Sequence, residues 1–153
     1  GGFPYTPATN LFLGLSEALD MLFDEGIDQV FKRHKIHAEA TRLAVQAWGL
    51  EVLCLEPKDY SNTLTAVMLP YGHDADKFRE NILQSYNMSL GNGLSKLSGR
   101  VFRIGHLGDF NDLMLVATLG GIEMALGRSG IPHQAGGTSA AMQLLKEKNT
   151  NSV

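Results

Sequence analysis

Apolar residues first recur at helical spacing. Leu11, Leu15, Leu19 and Leu22 fall three to four positions apart after Pro7, and Gly26 ends the run. Thr9 or Asn10 is placed to cap its start. A second helix is predicted from about residue 28 to residue 48, with Val30, Phe31, Ala38, Leu43, Val45 and Trp48 turned to a core and Gly49 closing it. Lys32, Arg33, Lys35, Glu39 and Arg42 occupy the polar side. That basic cluster, with His34 and His37 inside it, reads as a solvated helix face.

The period then shortens to two. Residues 50–55 and 64–69 predict strands, joined by a turn-rich segment holding Pro57, Asp59, Ser61 and Asn62. Asp74 caps a predicted helix over 75–86, with Phe78, Ile82 and Leu83 on one side. A short strand is expected over 88–90, a glycine-rich loop over 91–99, and a strand beginning at Val101. Asn111 or Asp112 starts a long apolar helix through Leu113, Val116, Leu119, Ile122 and Leu126, ended by Gly130 and Pro132, and a last helix spans about 138–148. This order predicts an α+β fold, a small mostly antiparallel sheet covered by helices on one face. No internal repeat or low-complexity tract interrupts it.

Composition narrows the function classes. The 153 residues are 44% hydrophobic and 19% charged, enough for one buried core. A formal charge of −3 gives no reason to expect nucleic acid or an anionic membrane as partner, so an acidic substrate must be held by local positive charge. No apolar run approaches a bilayer span, and Gly1 to Pro7 lack the regions of a signal peptide, so a cytoplasmic protein is expected. The single cysteine, Cys54, excludes an intramolecular disulfide and is expected as a buried, inert thiol within a strand. The chain lacks an initiator methionine and starts on connector-like residues, as expected of a processed protein or a piece of a longer one.

The chemistry-bearing stretch runs from Arg100 to Asp109. On a period-two strand Val101, Arg103 and Gly105 share one face and Phe102 and Ile104 the other, so the apolar pair anchors the strand while Arg103 points away. Its guanidinium is a rigid donor fork matched to a carboxylate, and Gly105 and Gly108 let a small ligand or backbone come close. The bland counterpart is a surface arginine paired with an acid. His106 follows by three residues and either supports a ligand or closes a turn. Gly91-Asn92-Gly93 fails as a dinucleotide loop, because it precedes a strand and lacks the third glycine. The five histidines show no metal-ligand spacing, so no metal is expected. Tyr5 and Thr6, held extended between Pro4 and Pro7 ahead of a helix, suit a phosphate seat, or Thr6 or Thr9 simply caps that helix.

With these residues in view the chain resembles, nearly end to end, the C-terminal part of the serine–glyoxylate and alanine–glyoxylate aminotransferases, class V, fold-type I enzymes that use pyridoxal 5'-phosphate. The resemblance rests on Tyr5-Thr6-Pro7-Ala8-Thr9-Asn10, Arg33-His34, Gly72-His73-Asp74, Gly91-Asn92-Gly93-Leu94, Val101 through Gly108 and Gly130-Ile131-Pro132. It implies that Arg103 binds the α-carboxylate of the amino and oxo acids. It implies that Thr6 reaches the cofactor phosphate across a homodimer. The tyrosine that shares this task in some relatives is replaced here by Phe3, and Tyr5 is the candidate to substitute for it. No catalytic residue is expected in this chain, because the resemblance places the Schiff-base lysine upstream of residue 1, and the fragment alone is expected to be inactive. The implied organisation is a connector with a linking helix over 1–26 and a small C-terminal domain over 27–153. The alternative is a free-standing α+β module that senses a small carboxylate through the same arginine, without catalysis. A third possibility keeps the fold type and changes the chemistry to a lyase or a desulfurase, the latter disfavoured by a Cys54 placed in a strand.

Overall fold

A computed structural model describes residues 2–150 of the chain. Its residue contacts fall into two units, one running through Arg33 and the other starting at His34. The element order is α1 (Thr9–Glu25), α2 (Ile27–Ala47), β1 (Glu51–Val52), β2 (Leu64–Met68), α3 (Ala75–Tyr86), β3 (Gly91–Asn92), β4 (Val101–Gly105), α4 (Asp112–Arg128) and α5 (Gly137–Thr150). Single 3-10 turns at Pro57–Asp59 and Ser95–Leu97 lie in the connections.

In the first unit α1 is capped at its C-terminus by Gly26, at φ 86°, whose N–H donates to the Leu22 and Phe23 carbonyls. The N-cap is Ala8 rather than Thr9 or Asn10, and no side chain caps the helix. Thr9 instead turns its hydroxyl back to the Pro7 carbonyl at 3.4 Å. The predicted leucine stripe is present, yet no residue of α1 is buried. Phe31 is exposed as well, against the expectation of a core position. Arg33 grips Glu25 with Nε and Nη2, both at 2.6 Å, the fork geometry of a bidentate pair.

The second unit is built on a four-stranded sheet of order β1-β2-β4-β3, antiparallel throughout. Pairing Val67 with Phe102 and Thr65 with Ile104 puts these four side chains on one face, where all are buried. Phe102 meets Phe78 of α3 with ring centroids 5.0 Å apart. Leu115, Leu119, Ile122 and Leu126 of α4, Ala44 and Val45 of α2, and Trp48 just beyond α2 complete this core. Burying a side chain the size of Phe102 or Ile104 contributes about 1.5–3 kcal/mol each, the main reason β4 sits where it does.

Asp74 and Asn111 cap α3 and α4 as expected, Asp74 Oδ1 accepting from the Asp76 and Lys77 N–H groups and Asn111 Oδ1 from Met114. Helix α5 is held by Glu123 of α4. Its Oε1 accepts from Gly136 N–H at 2.6 Å, and its Oε2 from Thr138 N–H at 2.8 Å, Thr138 Oγ1 at 2.7 Å and Trp48 Nε1 at 3.0 Å. Partial burial would raise this carboxyl, but the donors from Gly136, Trp48 and Thr138 outweigh it and hold the pKa down at about 2.

Three local expectations are corrected. β1 ends at Val52, so Cys54 lies in the turn after it, half-buried, with Sγ 3.6 Å from the Glu56 carbonyl. The short strand is Gly91–Asn92, inside the stretch expected as loop, and not 88–90. His34 and His37 are buried instead of solvated. They lie on the same helical stripe as Thr41 and Trp48, and this stripe faces inward. Among the described residues no helix is long and apolar enough to cross a membrane.

Candidate functional site

Arg103 sits in the middle of β4, on the face opposite Phe102 and Ile104, as the alternation predicted. Its direct cross-strand neighbours are Ala66 of β2 and Gly91 of β3, so the three form a row, Gly91–Arg103–Ala66, across the sheet. Two small neighbours give the long side chain room to lie along the sheet. The guanidinium finds no hydrogen-bonding or ionic partner among the described residues, and its Nε is fully buried without one. A charged donor left unsatisfied in this way is costly unless something supplied from outside completes it.

The chain after Arg103 is tied down by three histidines. His106 is fully buried, with Nδ1 donating to the Asn62 carbonyl at 3.2 Å and Nε2 accepting from Thr65 Oγ1 at 2.9 Å. Burial drives its pKa to about 4, against the opposing pull of the Asn62 carbonyl, so the imidazole is neutral near pH 7. His34 Nε2 accepts from the Gly108 N–H at 3.1 Å. His37 Nε2 donates to Asp112 Oδ1 at 2.8 Å, at the first turn of α4. The segment from His106 to Asp112 is thus fastened to β2 and α2 immediately beyond the arginine strand. His106 takes the turn-closing role of the two open to it.

Other candidates stand apart from this row. Tyr5 and Thr6 are exposed in the segment before α1, beside a hollow of about 440 Å³ lined by Pro7 to Leu11. A cleft of about 620 Å³ lies at the end of the sheet near Leu50, Met68, Leu69, Pro70, His73 and Arg100, and Arg103 does not line it. Among the described residues no group of three or more His, Cys, Asp or Glu is placed to hold a metal ion.

The sequence reading missed the part played by Gly91. A Cβ there would lie 3.0 Å from Arg103 Cβ and 3.1 Å from Nε. The available signal was a glycine pair just before the arginine strand. It also missed Glu123, an acid set in the apolar run of α4 well past Asp112 at its start, which is itself a sign of a buried polar contact.

An antiparallel four-stranded sheet with these helices is the fold of an aminotransferase C-terminal domain. The structure resembles pyridoxamine–pyruvate aminotransferase from Mesorhizobium loti with a TM-score of 0.90 at 31% identity, over 97% of this chain and 38% of that one. Within that class the chain is homologous to the C-terminal part of serine–glyoxylate aminotransferases, being 47% identical over 148 residues to that of Methylorubrum extorquens, with 96% of this chain and 37% of the relative covered. The L-aspartate–glyoxylate aminotransferase of Paracoccus denitrificans is 39% identical over 142 residues, 93% of this chain and 36% of its own. No family model matches the chain. It spans little more than a third of the length of these relatives. They do not favour a free-standing binding module.

Proposed function

We propose that this chain is the substrate-recognising C-terminal part of a pyridoxal 5'-phosphate-dependent aminotransferase that moves an amino group from serine or alanine to glyoxylate. In this reading the enzyme is a cytoplasmic homodimer, residues 1–26 are the connector and residues 27–153 the small domain. The observation that carries it is Arg103, a cation on the open side of the sheet with no partner among the described residues, in a chain homologous to glyoxylate aminotransferases. Serine, alanine and glyoxylate share one carboxylate, and a guanidinium fork is the donor set that fits it.

The cofactor, when bound, supplies the carbonyl that exchanges with the amine and a ring that accepts its electrons. Residues Tyr5 and Thr6 fit its phosphate. Their hydroxyls are exposed ahead of α1, whose first turn has no side-chain cap and whose dipole favours an anion at that end. Arg103 fixes the carboxylate end of the substrate, which limits rotation of the reacting carbon. Buried, neutral His106 holds the end of β4 to β2 and adds no charge beside that anion.

The test is Arg103→Ala in the full-length enzyme. KM for serine and for glyoxylate should both rise roughly a hundredfold, the loss of two charge-assisted hydrogen bonds, with the absorbance of the bound cofactor unchanged. An unaltered KM would sink the assignment.

A further inference from the structure

A guanidinium offers a carboxylate two forks, an end-on pair made by Nη1 and Nη2 and a side-on pair that uses Nε. The packing around Arg103 leaves only one of them open. Nε is buried, without a hydrogen-bond partner among the described residues, while Nη1 and Nη2 are not closed off. Gly91 lies close against this atom. A Cβ added there would come to 3.0 Å from Arg103 Cβ, 3.1 Å from Nε and 3.5 Å from Cζ, so the side chain passes close over a backbone that has no side chain of its own.

Gly91 is not in the left-handed region, so its backbone conformation is open to any residue and space is the reason for glycine. The strand beneath is itself held in place. Arg79 Nε donates to the carbonyl of Leu90, just before Gly91, at 2.8 Å, and Arg79 Nη1 pairs with Asp76 at 3.1 Å. On the far flank Ala66 is opposite Arg103, its side chain a single methyl.

We infer that Gly91 is a positioning residue for substrate binding. It seats the Arg103 guanidinium flat on β3, withdraws Nε from the substrate, and so commits the arginine to an end-on grip on the carboxylate. The inference rests on the carboxylate role of Arg103 proposed above. A methyl at position 91 meets Cβ as well as Nε, so the side chain must give by a few tenths of an ångström from its base outward, which moves the fork off its line.

The experiment uses the full-length, cofactor-loaded enzyme. Binding of serine and of ethanolamine, the same amine without its carboxylate, is followed through the cofactor absorbance for the wild type, Gly91→Ala, Arg103→Ala and the double variant. Gly91→Ala should weaken serine roughly tenfold, the scale of one charge-assisted hydrogen bond, and leave ethanolamine within about twofold. In the Arg103→Ala background it should have no further effect on serine, since it acts through the arginine. Weakening of both amines, an additive effect in the double variant, or unchanged serine binding in Gly91→Ala would each overturn the inference. If Arg103→Ala weakens serine and Gly91→Ala does not, only this inference falls. If Arg103→Ala itself leaves serine unchanged, the carboxylate reading fails and takes the inference with it. A crystal structure with a bound carboxylate that accepts from Nε would also overturn it.

Discussion

Arg103 and Glu123 are each a half-buried charge on a regular element, and they differ in what meets them. Glu123 accepts four hydrogen bonds from three residues, and its charge is spent on joining α2, α4 and α5. Arg103 lies between glycine and alanine with no partner among the described residues. A satisfied charge is a structural joint. An unsatisfied one, held in place by shape alone, is free for a ligand. The contrast separates the two more sharply than burial does, since both are partly exposed.

Removing the joint should have the largest effect. Glu123→Ala orphans the Trp48, Gly136 and Thr138 donors, and urea denaturation should show a loss of roughly 3 kcal/mol. An effect below about 0.5 kcal/mol would erase the distinction.

His106 gives a second structural group to test, a buried neutral one, this time through pH. Its folded pKa of about 4 lies below the ordinary value of 6.5, so between these values the unfolded chain binds more protons than the folded one. Stability is therefore fully present above pH 6.5 and falls as pH drops towards 4, by up to about 3 kcal/mol. In His106→Gln this part of the pH dependence should vanish. A profile unchanged by the substitution would mean that burial of the imidazole is not what sets the slope.

The smallest expected effect is the most discriminating. Arg103→Met keeps length and removes charge and donors, and stability should stay within about 0.5 kcal/mol or rise, because no hydrogen bond is lost. A large loss would show that Arg103, like Glu123, is a joint.

Much of the fold was legible because long elements repeat their signal. Asp74 before Phe78 and Ile82, and the alternation from Val101 to Gly105, each state the same thing several times. β3 has two residues, one of them glycine, too few to alternate, and only its partner β4 makes it a strand. The histidines of α2 were misread by residue type. Their spacing with Thr41 and Trp48 already placed them on the inward stripe, and position should have outweighed polarity. At the site, the sequence identified the arginine but not its packing, since the Gly91 contact is made across strands and leaves no local trace.

The pairing of β2 with β4 has a consequence for how such a chain tolerates insertion and deletion. Side chains alternate with a period of two, so a slip of one residue would turn Phe102 outward and drive Arg103 into the core. No intermediate register exists in which half the function survives. Insertion is better borne at the turn Pro57–Asp59, where no residue is buried, than at Ser95–Leu97, whose Leu97 carbonyl packs on Gly93, provided the five pairs from Leu64–Gly105 to Met68–Val101 keep their count.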